Sequence, residues 1–165
     1  MLPEEQKQVR KLDSTREAVA FIEEFWRRRD PDPASPGNEF SRSFYERVEA
    51  ADRLYSEGAT RGSLTDRGRA LILLGAPPRL HYGQKAVPTW EPGRPGSRPN
   101  VQARNIVVET WAYTLADLPP DLVKLIEEES PVTEVILAFA VETRRTYLIE
   151  GKEFLDLAVR AAVRE

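Results

Sequence analysis

The stretch Thr65-Asp66-Arg67-Gly68-Arg69-Ala70-Leu71-Ile72-Leu73-Leu74-Gly75-Ala76-Pro77-Pro78 decides how this chain is read. Five apolar residues from Ala70 to Leu74 follow one another without a polar break. Gly68 precedes them and Gly75 to Pro78 follow, so the run is expected to be a short buried strand. Asp66 two residues before Gly68 is expected to accept a backbone hydrogen bond and organise the turn into that strand, Gly68 supplying conformational freedom.

Upstream, the pattern is helical. Ser14-Thr15-Arg16-Glu17 has the spacing of a capping box. Ala18, Ile22, Phe25 and Trp26 recur at three and four residues, and Arg27, Arg28 and Arg29 suit the negative end of a helix. Asp30 before Pro31 disfavours continuation. After the connector Asp30 to Gly37, capped by Ser35 or Asn38, the residues Phe40, Phe44, Val48, Ala51 and Tyr55 outline a second helix ending at Gly58. The two helices, spanning 14–58, are expected to form an αα-hairpin.

Downstream, residues 83–104 carry Pro88, Pro92, Pro95 and Pro99 with Gly83, Gly93 and Gly96, and are expected to be a long loop. The segment Gly83 to Asn100 should then be the most mobile or accessible internal stretch. Asn105 to Thr114 has a strand composition, with alternation broken at Glu109-Thr110. Pro119-Pro120 opens a short helix with Leu122, Leu125 and Ile126 on one face. Val132 to Val141 and Thr146 to Ile149 form a strand pair, and Gly151 precedes a last helix carrying Phe154, Leu157, Ala158 and Ala161. Strands cluster rather than alternate with helices. The expected class is α+β, an N-terminal αα-hairpin and a C-terminal helix packed on a mainly antiparallel sheet in one domain, with a sheet-containing segment over 69–165. Trp26, Phe44, Val48, Ile72 and Trp111 are expected to share its core.

With 165 residues, the chain can bury a core without metal or disulfide, and 41% apolar with 31% charged residues argues against global disorder. The absence of cysteine removes disulfides, thiolate nucleophiles and cysteine metal sites. A net charge of −3, mixed in sign along the chain, gives no field that favours nucleic acid. Residues 1–8 have neither the basic nor the apolar region of a secretory signal, and no apolar stretch is long enough to span a bilayer. The chain therefore reads as soluble, or equally as a segment of a longer exported protein.

Phe25-Trp26-Arg27-Arg28-Arg29-Asp30-Pro31-Asp32-Pro33-Ala34-Ser35-Pro36-Gly37-Asn38-Glu39-Phe40, followed by Gly62-Ser63-Leu64-Thr65-Asp66-Arg67-Gly68-Arg69, resembles the bacterial GWxTD domain family. Glu109-Thr110-Trp111-Ala112-Tyr113 resembles the aromatic strand that comes next, so the likeness covers about residues 12–114. The tryptophan of the family's motif is Ser63 here. The resemblance implies structural roles for Trp26, Arg29, Asp30, Asn38, Glu39, Asp66 and Gly68. It also implies a place in a larger exported or envelope-associated protein, no settled activity and no cofactor.

Candidate sites are few. Asp66 with Arg67 and Arg69 could bind an anion or orient a substrate, although a turn, with Asp66 able to pair with an arginine of the first helix, is the simpler reading. Asp30, Asp32, Asn38 and Glu39 offer oxygens, but not at the spacing of a calcium loop. His81 is the only histidine, so no multi-histidine metal site exists. No nucleophile elbow, Ser-x-x-Lys or phosphate-binding glycine motif is present. Lys85, Trp90, Arg94, Arg98 and Arg104 make the stretch 85–104 a candidate basic patch for an acidic partner. The leading expectation is a non-catalytic interaction or structural module acting on a protein partner or neighbouring domains. The alternatives are an enzyme using His81, Asp66 and nearby arginines in a cleft, and an anion- or nucleic-acid-binding basic loop.

Overall fold

The structure is a computed structural model that describes residues 3–30, 32–91 and 100–162, with side chains placed except at residues 3, 88–91 and 100–102. Ten elements carry the fold. Helices α1 (Pro3–Val9), α2 (Thr15–Arg27), α3 (Glu39–Tyr55) and α4 (Asp66–Leu74) come first, then strands β1 (Arg79–Glu91) and β2 (Asn100–Thr114). Helix α5 (Pro120–Glu129), strands β3 (Glu134–Val141) and β4 (Thr146–Glu150), and helix α6 (Lys152–Ala161) complete it. The strands form one antiparallel sheet in the order β1-β2-β3-β4, and the α+β class is as expected.

The caps explain where the helices begin. Ser14 accepts from the Glu17 amide at 3.2 Å, whereas the Glu17 carboxylate reaches back to the Asp13 amide rather than to Ser14. Of the two candidate caps for α3, Asn38 is the one used. Its side-chain oxygen accepts from the Ser41 amide at 2.8 Å, and its side-chain nitrogen donates to the Trp26 carbonyl at 2.6 Å. One residue thereby starts α3 and ties it to the end of α2.

Two expectations are corrected. Ala70 to Leu74 is the second half of α4, not a strand. Thr65 is the cap, its hydroxyl accepting from the Gly68 amide at 3.1 Å, and Gly75 closes the helix at φ 87°. An apolar run of five cannot by itself distinguish a strand from a helix buried around much of its circumference, and the cap three residues before Gly68 decides the matter. Residues 83–91 and 100–104 are likewise not loop. They are the outer halves of β1 and β2, paired from Gly83 opposite Val108 to Glu91 opposite Asn100. Pro88 is tolerated because β1 lies at the edge of the sheet. The expected loop is thus a strand pair up to Glu91, and residues 92–99, including Arg94 and Arg98, lie outside the described residues.

One sheet face holds the main core. Trp111, Tyr113, Leu137 and Phe139 pack with Leu71, Leu74, Leu122, Leu125, Phe154 and Leu157 from α4, α5 and α6. Ile72 joins this cluster half-buried. The expectation of a single core with Trp26 and Phe44 is not met. Trp26 instead meets Phe40, Phe44 and Tyr45 in a separate aromatic cluster between α2 and α3, with ring centroids 5.2 Å apart for Trp26 and Phe44. Val48 is half-buried on α3 and belongs to neither buried cluster. No described residue of α2 is buried, so this helix is held by rings and caps rather than by the sheet.

Candidate functional site

The segment Gly62 to Gly68 is where the helices are fastened to the sheet. It opens with a single turn of 3-10 helix over Gly62–Leu64. Gly62 lies so close to α3 that a methyl group there would stand 1.8 Å from the Ala51 carbonyl oxygen. A methyl group at Gly68 would likewise stand 1.8 Å from the Gly62 carbonyl oxygen. The two glycines are required by backbone contact rather than by turn conformation. Ser63 donates its amide to the Asp52 carboxylate at 2.7 Å, and this bond, then one from the Ser63 side chain, holds the Asp52 carboxyl below its usual range.

Asp66 is the first residue of α4, and its carboxylate accepts the amide of Leu148 on β4 at 2.9 Å. It therefore does not shape a turn into a strand, nor does it pair with an arginine of the first helix. Glu57, just beyond α3, accepts the amide of Thr146 with both oxygens at 3.0 Å. These two carboxylates take the alternate amides that β4, an edge strand, turns away from β3. They close that edge much as a neighbouring strand would.

Arg67 crosses to the sheet. Its guanidinium contacts Glu57 at 3.2 Å and Glu109 on β2 at 3.1 Å, and lies over the Tyr55 ring. Glu109 is almost wholly buried and also accepts from Trp111 Nε1 at 2.6 Å and from the Tyr82 hydroxyl at 3.1 Å. Burying a carboxylate is costly unless it is paired and hydrogen-bonded in this way. Burial, then the neighbouring Glu109 charge, raises the Tyr82 and Tyr55 phenols above their ordinary value. The network reaches solvent at Tyr82, which is 57% exposed.

On the opposite face, among the described residues, no helix joins the buried cluster of the sheet. Ile106, Val108, Ala138 and Ala140 form a second small cluster with Val87, Tyr147 and Ile149. A shallow groove of about 330 Å³ runs over it, lined by His81, Lys85, Thr110, Ile136, Ala138 and Glu150. Lys85 pairs with Glu150, Arg79 with Glu134, and Arg104 with Glu142 at 2.9 Å.

The residues singled out from sequence separate accordingly. His81 stands opposite Thr110 on the open face, while Asp66 and Arg67 engage β4 and Glu109 on the helix side, so no cleft brings them together. Arg69 is exposed on α4. The basic patch is corrected in its described part, because Lys85 and Arg104 are matched by Glu150 and Glu142. Trp90 lies in β1 by its backbone, and Arg94 and Arg98 lie outside the described residues. Arg29 pairs with the buried Glu5 at 3.0 Å and lies 3.9 Å over the Phe25 ring. Asp30 accepts the Asp32 amide at 3.1 Å, and Glu39 pairs with Arg42 on the surface. Among the described residues no three potential metal ligands gather.

Glu57, Glu109 and Tyr82 were not foreseen. Glu109 did leave a trace, as the one charge inside the apolar run Ile106 to Tyr113. Nothing local marks Glu57, whose partners lie 10 and 89 residues away.

No curated protein and no solved structure matches the chain. A family model does: the GWxTD domain matches residues 3–115, from α1 through the end of β2, and includes every motif residue placed above. The match covers more than half of the sequence, and the chain belongs to the GWxTD domain family.

Proposed function

We propose that this chain is a non-catalytic structural and interaction module, working through a protein partner or neighbouring domains. The observation that carries this reading is the inward use of the motif. Gly62 and Gly68 make backbone contacts, Thr65 caps α4, Asp66 holds Leu148, and Arg67 is divided between Glu57 and Glu109. Of its chemically capable groups only Arg69 is left exposed, and Thr65, Asp66 and Arg67 are committed to capping α4 and holding it on the sheet, while among the described residues an apolar sheet face is left uncovered. That division suits a rigid platform better than a site of bond-making.

A screen of ester, phosphate, peptide and glycoside substrates, run with the wild type and with His81→Ala and Glu109→Gln, tests it. The expected result is no turnover. His81→Ala should also melt like the wild type, since His81 is exposed. Turnover abolished by either substitution in a folded variant would overturn the reading in favour of an enzyme.

A further inference from the structure

We propose that β1 pairs with β1 of a second copy of this chain, antiparallel and centred on Gly83, so that the two four-stranded sheets continue as one. This rests on the reading of the chain as an interaction module and names its surface and its partner.

The direction of the backbone groups on β1 follows from contacts at the far side of the sheet. The Leu148 amide points away from β3, to Asp66. The pair Leu148 and Phe139 is therefore a non-hydrogen-bonded one, and Phe139 turns its amide and carbonyl towards Glu109. Glu109 is then bonded to β3, and its pair with Tyr82 is non-hydrogen-bonded in turn. Tyr82 must direct its own amide and carbonyl outwards, and with it Leu80, Gln84 and Ala86. Pro88 has the same parity, and β2 requires no donor there, which agrees with this assignment.

The two edges of the sheet thus differ. The β4 edge is closed by Glu57 and Asp66, whereas among the described residues nothing bonds to the outward groups of β1. With β4 capped at Thr146 and Leu148, pairing through the inner half of β1 favours a closed two-fold dimer over repeated addition at the β4 side.

The strand is also complementary to itself in one register. With Gly83 opposite the partner's Gly83, Tyr82 faces the partner's Gln84 and Leu80 faces the partner's Ala86. All four outward amides from Leu80 to Ala86 on each chain then find carbonyls, and the pairing ends before Pro88. Gly83 occupies the closest approach, a non-hydrogen-bonded position on the axis. Lys85 faces the partner's His81 and Arg79 faces the partner's Val87, so no lysine or arginine is opposed to another. A lysine on an edge strand usually guards against such pairing, but Lys85 is drawn across the open face to Glu150. The half-exposed Leu80 and Tyr82 would be covered by the contact.

Sedimentation of the 165-residue chain from micromolar to near-millimolar concentration tests the proposal. The expected mass at high concentration is twice the 18.7 kDa of the chain. Amide exchange supplies a residue-level signature. In the monomer the amides of His81, Gly83 and Lys85 are slow and those of Leu80, Tyr82, Gln84 and Ala86 are fast, and in the dimer both sets are slow. Gln84→Pro removes one outward donor without touching the β2 ladder, and should give a folded monomer. A chain that stays monomeric at every concentration overturns the proposal, as does a dimer in which the even-numbered amides remain fast. Neither result bears on catalysis, and turnover in the substrate screen would leave the dimer standing, so the two readings fail separately.

Discussion

Arg67 on α4 and Glu109 on β2 are 42 residues apart in sequence and meet at 3.1 Å, with Glu109 almost wholly buried. Removing one partner of such a pair is worse than removing both, because it strands a charge in the interior. Arg67→Met should therefore lower stability by about 3–5 kcal/mol, and adding Glu109→Gln should recover part of that loss. Urea unfolding of the two single variants and the double reads the coupling. Losses that simply add would mean that the pair does not fasten α4 to the sheet.

How much of this was legible in the sequence depends on the range of the contact. The α+β class, the capping of α2 by Ser14 and the terminal strand pair follow from local periodicity and caps. The Ala70 to Leu74 run was misread because it is apolar at every position, which conceals its period, while Thr65 held the correct signal. The 83–104 stretch was misread because proline and glycine lower strand propensity on average, yet an edge strand tolerates both. Asp66, Glu57 and Glu109 act across 82, 89 and 42 residues, and no local pattern specifies such pairings.

Asp66 gives the second prediction. Asp66→Ala leaves the Leu148 amide without its acceptor at the sheet edge, and should cost about 1–3 kcal/mol. Asp66→Asn keeps an acceptor oxygen and should cost less. Amide exchange at Leu148 should accelerate in the alanine variant more than at neighbouring core amides. An unchanged Leu148 amide would dismiss the carboxylate as an edge cap.

Glycine substitutions separate contact from flexibility. Gly62→Ala and Gly68→Ala each drive a methyl group to 1.8 Å from a backbone oxygen, which no rotamer relieves. Each should destabilise by about 3 kcal/mol or more. Gly37→Ala, with nothing within 4 Å of the added atom, should stay within about 0.5 kcal/mol of the wild type. Comparable melting temperatures for all three would contradict the close seating of the motif on α3.

Alkaline pH should weaken the fold. The phenols of Tyr55, Tyr82 and Tyr113 are all held above their ordinary value, by burial first, and for Tyr55 and Tyr82 by Glu109 next. A raised folded-state pKa means that the stabilisation is fully present below the unfolded phenol's range and is lost as pH rises through the higher folded value. Melting temperature should therefore fall over about pH 10–12, together with the appearance of tyrosinate absorbance. Tyr82→Phe should make that decline shallower, and a profile identical to the wild type would show that Tyr82 is not coupled to Glu109.

The two described tryptophan side chains should report two different parts of the molecule. Trp111 is fully buried between Tyr55 and Phe139 and donates to Glu109, so Trp111→Ala removes packing and a hydrogen bond together and should cost about 3–5 kcal/mol. Trp111→Phe keeps most of the volume and isolates the loss at Glu109. Trp26 is only part-buried, set among Phe25, Phe40, Phe44 and Tyr45 away from the sheet, and its indole donates to Tyr45 at 3.2 Å. Trp26→Ala should cost about 1–2 kcal/mol and loosen α2 first, since that helix has no other deep anchor among its described residues. Amide exchange should then quicken in α2 and at the Asn38 cap while β2 and β3 keep their protection. Equal losses of stability and protection at both sites would mean that the helical hairpin and the sheet share one core, contrary to the two clusters seen here.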